Sequence, residues 1–369
     1  MVQTVCNLND CAGCMACVDI CSKNAIRIED SLREYNAVID ENKCIQCNAC
    51  HRICPQNNSP KAEKPLYWRE GWAKNKSVRA SSSSGGAAAA IELAFVKQGG
   101  CVCSCLFTNG KFAFSFADNE EDVRKFSGSK YVKSSPQGIY KEILKKLKAG
   151  KKVLFVGLPC QVAGLKNYVG MKDNLYTIDL ICHGSPSPKI LEMFLADYKY
   201  KLKDLQDLSF RKKTKFRLEE NLKRFTVPTV MDFYTRAFLK GTSYTNNCYQ
   251  CKYAKLERVS DITLGDSWGS QLPEKIQKEG VSLLLCQSEK GWELLNEAEM
   301  DLFEVDLEHA IECNHQLESP SVRPVERALF FDELARGNSF KGSIKKCYQK
   351  EYIKAKAKTF LFKIGLLRV

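Results

Sequence analysis

Short apolar segments alternate with amphipathic ones along most of the chain, which is the pattern of strands connected by helices. Residues 153–156, Val-Leu-Phe-Val, predict a buried strand, and Asn109-Gly110 between two apolar runs predicts a hairpin. Strands are predicted at 101–107, 111–117, 153–156, 175–181, 261–264 and 282–286, and helices at 87–98, 136–149, 161–168 and 188–203. Since both helices and hairpins connect these strands, the sequence predicts an α/β domain with a mixed sheet.

Cysteine spacing distinguishes the start of the chain. The pattern C-x2-C-x2-C-x3-C occurs twice, at 11–21 and 44–54. Bacterial two-cluster ferredoxins have this spacing, and the last cysteine of each run binds the other cluster. The strand-like segments 25–28 and 37–40 fit a repeated unit, so the sequence predicts an α+β ferredoxin-like dicluster domain.

The crossed pattern assigns ligands to two [4Fe-4S] clusters. Cluster I is predicted at Cys11, Cys14, Cys17 and Cys54, and cluster II at Cys44, Cys47, Cys50 and Cys21. Zinc is the alternative, although two such runs are an unusual zinc pattern. Cys6 lies outside the runs and is predicted to be a small buried residue or a free thiol. The cysteines at 101, 103, 105, 286, 313 and 347 are predicted to line the core rather than bind metal.

Composition favours a folded cytoplasmic protein. Hydrophobic residues make up 44% of the 369 residues, which excludes a mainly disordered chain. There is no run of 18 apolar residues and no secretory pattern at the start. In the cytoplasm thiols stay reduced, so clustered cysteines more often bind metal than form disulfides.

Charge is concentrated at the end of the sequence. The net charge is +13, and residues 319–369 contribute +8 of it. Such a basic segment suggests an anionic partner: a membrane surface, an acidic protein or a nucleic acid. The alternative is a solvated helix face. With a Pro-rich linker at 55–65, the sequence divides into a ferredoxin module (1–66), a body (67–318) and a basic helical tail (319–369).

Further motifs follow in the body. They are Ser83-Ser84-Gly85-Gly86, Gly128-Ser129-Lys130-Tyr131, the segment 156–165 around Cys160, the segment 179–184 with Cys182 and His183, Phe210-Arg211-Lys212-Lys213, Cys248-Tyr249-Gln250-Cys251, and the segment 260–269. This ordered set resembles the beta-subunit family of coenzyme F420 hydrogenase/dehydrogenase. The resemblance covers roughly residues 70–300 and implies a bound FAD, an α/β flavin-binding domain with a mixed sheet, and an iron–sulfur cluster within the body.

The resemblance also implies flavin contacts. Ser83, Ser84, Gly85 and Gly86 are expected to approach the flavin or its phosphates, and Lys130 and Tyr131 to lie near the flavin or its electron partner. From the residues alone, 81–90 is either a flexible linker or a phosphate site at a helix N-terminus. For Lys130 the alternative is a solvated loop.

A third [4Fe-4S] cluster, the inner cluster, is predicted at Cys160, Cys182, Cys248 and Cys251. Cys160 and Cys182 follow predicted strands, and cofactors collect at the carboxyl edge of such sheets. Zinc at the same four residues is the main alternative, and Cys160 or Cys182 could instead be structural. His183 is a candidate acid–base residue, although a hydrogen bond beside a cluster or flavin is the favoured interpretation.

Together these features predict an iron–sulfur flavoprotein oxidoreductase. FAD exchanges hydrides with coenzyme F420, a nicotinamide or an organic substrate, and single electrons with iron–sulfur clusters. The alternative is an electron-relay subunit without its own substrate. Expected partners are a ferredoxin or a partner enzyme, with peripheral membrane contact through the tail and no nucleic acid.

Overall fold

The ferredoxin module has two matching halves. The structure, a computed structural model, describes residues 3–367, so Arg368 of the predicted tail lies outside the described part. The elements of the module are α1 (Ala16–Ile20), β1 (Ile26–Asp30), β2 (Tyr35–Ile39) and α2 (Ala49–Ile53). Left-handed backbone occurs at equivalent positions of the two cysteine loops, Gly13 and Met15 in the first and Gln46 and Asn48 in the second. The predicted repeated α+β unit is confirmed.

Strands and helices alternate through the rest of the chain. The strands are β3 (Tyr67–Ala73), β4 (Cys101–Thr108), β5 (Lys111–Ala117), β6 (Val153–Gly157), β7 (Leu175–Leu180), β8 (Leu208–Lys212), β9 (Lys215–Glu220), β10 (Lys223–Arg224), β11 (Ile262–Asp266), β12 (Ser282–Cys286) and β13 (Met300–Phe303). The helices are α3 (Lys76–Ser81), α4 (Ala87–Lys97), α5 (Glu120–Arg124), α6 (Ile139–Lys148), α7 (Pro159–Val169), α8 (Pro188–Ala196), α9 (Phe233–Leu239), α10 (Glu274–Lys278), α11 (Glu289–Asn296), α12 (Leu307–Glu312), α13 (Glu326–Ala335), α14 (Phe340–Cys347) and α15 (Gln349–Lys363).

A large mixed sheet forms the centre of the body. Within residues 3–367 it has eight strands, in the order β13-β3-β12-β11-β7-β6-β4-β5. The central strands β11, β7, β6 and β4 are parallel, and the outer pairs are antiparallel. The predicted mixed sheet is therefore confirmed. Because β6, β7 and β11 run in the same direction, the loops that follow them lie at one edge of the sheet.

Each face of the sheet is covered by a different layer. Helix α4 packs Ile91 and Phe95 against one face, where burying such side chains stabilises the fold by about 1.5–3 kcal/mol each. Helices α6 and α7 cover the other face, and the ferredoxin module packs on top of α7. Cys14 and Ile53 of the module share a core with Val162 of α7. The module is thus part of the folded body rather than a tethered appendage.

The C-terminal helices pack against helices α8 and α9. Phe330, Phe340 and Tyr352 are buried in one core with Phe194. The helix predicted at 188–203 is shorter than expected, since it ends at Ala196 and Lys199 adopts a φ of 65°, which an α-helix does not accommodate. No helix within residues 3–367 is long and apolar enough to cross a membrane.

Candidate functional site

The first group of predicted ligands surrounds a small cavity between the two cysteine runs. Cys11, Cys14, Cys17 and Cys54 line this cavity together with Cys6, and all five are buried. The structure thus brings the first three cysteines of one run together with the last cysteine of the other. The Gly13 N–H also points at Cys11 Sγ, 3.4 Å away, as in loops whose amides donate to cluster sulfurs.

The second group lies at the surface. Cys44, Cys47, Cys50 and Cys21 line an open pocket with an empty volume of about 960 Å³. Cys47 is exposed and the other three are half-buried. The Gln46 N–H lies 3.4 Å from Cys44 Sγ, which repeats the geometry of the first loop. The two halves therefore present the same donor set in different surroundings, one buried and one exposed to solvent.

The third group converges at the carboxyl edge of the sheet. Cys160 lies in the first turn of α7 directly after β6, and Cys182 follows β7. Cys248 lies in the 3-10 helix Asn246–Gln250, and Cys251 follows that helix. Burial raises the pKa of the Cys182 thiol, and the nearby thiols of Cys248, Cys160 and Cys251 raise it further. The structure therefore brings the four predicted ligands of the inner cluster together.

These groups have the donor set of [4Fe-4S] clusters, four thiols each. Within residues 3–367, no three Cys, His, Asp or Glu side chains are arranged to hold a single metal ion. A cube of four irons and four sulfides binds its thiolates at separate corners, farther apart than the ligands of one ion. A zinc ion requires sulfurs at about 2.3 Å from one centre.

The first flavin motif makes mostly internal contacts. Ser83 Oγ accepts a hydrogen bond from Ser129 N at 2.8 Å, so two of the motifs meet. Ser84 Oγ donates to Val281 O at 2.9 Å. Gly85 lacks room for a side chain, because a β-carbon would lie 2.5 Å from Gly71 O. Gly86, with a φ of 89°, caps the N-terminus of α4. The motif is therefore an ordered helix start, and the flexible-linker interpretation of residues 81–90 is wrong.

Lys130 and Tyr131 contact the protein itself. The Lys130 ammonium donates to Phe126 O at 2.5 Å, and the side chain is half-buried rather than free in a solvated loop. The Tyr131 ring stacks on Phe238, with 4.3 Å between ring centroids. Neither side chain projects from the surface on its own, and a role beside a flavin stays a prediction for both.

The comparisons with known proteins concern two regions of the chain. Residues 150–308 match the family model that describes the C terminus of the beta subunit in coenzyme F420 hydrogenase/dehydrogenase. Residues 10–58 match the 4Fe-4S dicluster domain. Residues 150–308 are therefore a domain of the coenzyme F420 hydrogenase/dehydrogenase beta-subunit type, and residues 10–58 are a 4Fe-4S dicluster domain. The family match includes Cys160, Cys182, Cys248 and Cys251, whereas the motifs at 83–86 and 128–131 precede it.

Among solved structures, the chain is similar to a chain of the F420-reducing [NiFe] hydrogenase complex from Methanosarcina barkeri, in a study of xenon derivatization. The sequences are 19% identical, the match covers 72% of this chain and 98% of the other, and the TM-score is 0.48. No curated protein sequence matches the chain.

A group of cations lies near the N-terminus of α4: Arg211 and Lys213 come from the motif at 210–213, whereas Arg79 lies outside the motifs that the sequence singled out. The Lys213 ammonium donates to Ser84 O at 2.8 Å and to Arg79 O, close to the N-terminus of α4. Arg211 forms a bidentate ion pair with Asp266 at 2.5 and 2.7 Å. The buried Nε of Arg79 has no hydrogen-bond partner. Arg79 is also paired with Glu279 at 3.3 Å, so Lys213 is the member of this group without a carboxylate partner among the described residues. A lysine charge beside a helix N-terminus fits the phosphates of a dinucleotide such as FAD.

His183 lies at the edge of the same region. Its Nδ1 is 2.9 Å from Gln316 Nε2, and its ring meets that of His315 edge-on at 5.6 Å between centroids. It directly follows Cys182 and is solvent-exposed. The geometry shows a hydrogen bond of His183 with Gln316, and both the neighbouring cofactor and the acid–base role stay predictions.

Proposed function

We propose that the chain is an iron–sulfur flavoprotein oxidoreductase. It passes electrons between a hydride carrier or organic substrate at FAD and one-electron carriers at three [4Fe-4S] clusters. The observation that carries this proposal is the succession of the three cysteine groups in space. Each group has a thiol next to a thiol of the following group, so the clusters would form one continuous path.

Two contacts define the path. Cys17 of cluster I lies near Cys50 of cluster II: burial raises the pKa of Cys17, and the thiols of Cys11, Cys54 and Cys50 raise it further. Cys14 of cluster I packs against helix α7, near Cys160. Both thiols are shielded from water. Cluster I therefore lies between the exposed cluster II and the inner cluster.

FAD, when bound, would convert between hydride transfer and single-electron transfer. Lys213, Arg79 and the N-terminus of α4 are proposed to hold its phosphates. The predicted neighbours of the flavin are Ser83, Ser84, Gly85, Gly86, Lys130 and Tyr131. Tyr131 connects these motifs to the cations, because its half-buried side chain lies near Arg211 and burial raises its pKa.

The decisive sample is the full chain purified without oxygen. We expect about twelve irons and one FAD per chain, from three cubes of four irons. Cys251→Ser should retain about eight irons, whereas Cys347→Ser, which alters a half-buried cysteine outside the three groups, should retain all of them. Zinc in place of iron, or an unchanged iron content in Cys251→Ser, would contradict the proposal.

Turnover distinguishes an enzyme from a relay subunit. An oxidoreductase would reduce a one-electron dye with reduced coenzyme F420 or NADPH without any other protein. A relay subunit would contain all clusters and flavin but turn over only after a partner enzyme is added. The name of the matched family, a beta subunit, makes the second outcome a specific alternative.

The end of the chain is proposed to contact an anionic membrane surface or an acidic partner. Phe360, Ile364 and Leu366 are exposed beside the lysines of α15. Such a combination favours binding in a membrane interface. In co-sedimentation with anionic vesicles, a chain ending at Thr359 should bind less than the full chain. Equal binding would contradict this part of the proposal.

A further inference from the structure

Lys133 is a buried cation without a carboxylate partner. Only 7% of the residue is exposed. Its ammonium donates to Ala12 O at 3.2 Å and lies 5.1 Å from the centre of the Tyr35 ring. Within residues 3–367, no Asp or Glu oxygen lies within 4 Å of this nitrogen. A buried charge is costly unless an opposite charge accompanies it, so the surroundings of Lys133 call for an anion.

The position of Lys133 joins the loops of two cysteine groups. Its ammonium bonds to Ala12, between the cluster I cysteines Cys11 and Cys14. Its backbone N–H bonds to Pro186 O at 2.9 Å, in the loop that begins at Cys182. Lys133 therefore joins the two loops, with its backbone bonded to the inner cluster loop and its side chain bonded to the first cysteine loop of the ferredoxin module.

Lys133 lies beside ligand-bearing segments of both groups. A β-carbon built on Gly13, which lies between Cys11 and Cys14, would be 3.9 Å from Lys133 Cδ. Pro186, which accepts the backbone N–H of Lys133, lies four residues after Cys182. One lysine is thus positioned between the first cysteine loop of the module and the loop of the inner cluster.

We propose that Lys133 raises the reduction potentials of cluster I and the inner cluster together. This inference rests on the cluster assignments of the proposed function. A cluster held by four thiolates is anionic and gains one more negative charge when it accepts an electron. A buried cation stabilises that extra charge strongly, because little water lies between them to screen it. Both potentials are therefore shifted in the same direction by one charge, so removing that charge should lower both.

Within residues 3–367, the cations nearest cluster II are exposed. Arg52 donates to Cys47 O at 3.1 Å, and Lys23 and Lys43 lie nearby, all at the surface, where solvent and salt screen their charges. Lys133 is thus expected to affect only two of the three couples. This selectivity separates an electrostatic role from a general effect on folding.

The test is a spectroelectrochemical titration of the full, anaerobically purified chain and its Lys133→Met variant. We expect the equilibrium constants for reducing cluster I and the inner cluster to fall at least tenfold, which is about 59 mV for a one-electron couple. The couple of cluster II should stay unchanged. Parallel titrations of Cys47→Ser and Cys251→Ser assign the couples. Lys133→Arg should restore the wild-type potentials.

Two further variants complete the test. Lys133→Gln removes the charge but keeps a hydrogen-bond donor for Ala12 O. If Lys133→Met loses a cluster, the potentials of Lys133→Gln are measured instead. Lys252→Met is the matched control, because the Lys252 ammonium also donates to a carbonyl of the ferredoxin module, Gln56 O at 2.6 Å, but is exposed. It should shift the potentials much less.

Unchanged potentials in Lys133→Gln would overturn the inference, and so would an equal shift in Lys252→Met. If the proposed function itself is wrong, the wild-type chain would lack iron or would not show three one-electron couples. Iron content and the wild-type titration therefore come before any variant is interpreted.

Discussion

Cys14 of the ferredoxin module lies directly against Gly164 of helix α7. A β-carbon on Gly164 would be 3.0 Å from Cys14 Sγ and 3.4 Å from the β-carbon of Ala16. The absence of a side chain at Gly164 therefore allows a proposed cluster ligand to pack against the helix that begins beside Cys160. This close approach is one of several contacts that join module and body, together with the hydrogen bonds of Asp19 to the N–H groups of Gly138 and Tyr140.

Gly164→Ala should weaken that contact. The added methyl group must displace Cys14 or the helix, and overpacking of this kind costs about 1–3 kcal/mol. We expect a lower thermal midpoint and an altered electron paramagnetic resonance signal of cluster I. Gly342→Ala is the matched control, because Gly342 also lies in a helix and a β-carbon there meets nothing closer than 3.5 Å. The control should be neutral or stabilising, and equal behaviour of both variants would contradict the prediction.

The crossed ligand pattern gives opposite results for two cysteines. Cys54→Ser should remove cluster I, although Cys54 belongs to the second run, since Cys54 lines the cavity with Cys11. Cys21→Ser should remove cluster II, since Cys21 lines the open pocket with Cys44. Each variant should lose about four irons. Spectra of the remaining cluster identify which one is lost, and loss of the cluster in the same run would refute the crossed pattern.

Flavin binding should weaken at alkaline pH. Burial and the positive charges of Arg79 and Arg211 together lower the pKa of Lys213 to about 8. The ammonium therefore loses its proton as the pH rises from 7 to 9, and its attraction for phosphate disappears. We expect the affinity of the flavin-depleted chain for FAD to fall by up to about tenfold over this range, measured by fluorescence titration.

The matched comparison is Lys213→Met against Lys212→Met. Lys212 is the exposed neighbour in the same hairpin. The Lys213 variant should bind FAD weakly at both pH values, without the alkaline decrease. The Lys212 variant should behave like the wild-type chain. An alkaline decrease that persists in Lys213→Met would assign the effect to another group.

Glu92 should make the fold less stable as the pH rises. This residue is buried, and burial raises its pKa to about 8, although Lys130 and Ser104 oppose the rise. Between pH 4.5 and 8 the folded chain keeps a proton that the unfolded chain releases. Stability therefore decreases as the pH increases through this window.

Glu92→Gln removes this dependence. Its stabilisation over the wild-type chain should grow between pH 6 and pH 8, by up to about 2 kcal/mol, because one pKa unit corresponds to about 1.4 kcal/mol. Anaerobic urea unfolding at both pH values measures the difference. Glu121→Gln, at an exposed position on α5, should show no such growth. A constant difference between Glu92→Gln and the wild type would exclude a raised pKa at Glu92.

Local patterns predicted the cysteine loops and most strands of the body. Three cysteines on one short loop meet because the chain between them is too short to separate them. The Asn109-Gly110 hairpin and the wholly apolar strand β6 are encoded by neighbouring residues in the same way. By contrast, strand β3, Tyr67–Ala73, mixes charged and aromatic residues and was not predicted, although it pairs with both β12 and β13.

Contacts between distant segments could not be predicted. Lys213 reaches Ser84 only because the β8–β9 hairpin folds over the start of α4, and no local pattern encodes that approach. Lys133 is one lysine among many in the sequence, and its role depends on the tertiary contact with Ala12. Burial distinguishes it from the exposed lysines, and burial of a charged side chain is a property of the assembled fold.

Because the two cysteine loops are unequally buried, the two clusters of the ferredoxin module would be oxidised by air at different rates. Oxygen and peroxide reach Cys47 directly, whereas the first loop is closed off by the body. Cluster II would be destroyed first, and the inner parts of the path would outlast it. A briefly aerated sample would then still contain flavin and two intact clusters, yet no external carrier could exchange electrons with them. Measured activity would therefore disappear well before most of the iron does.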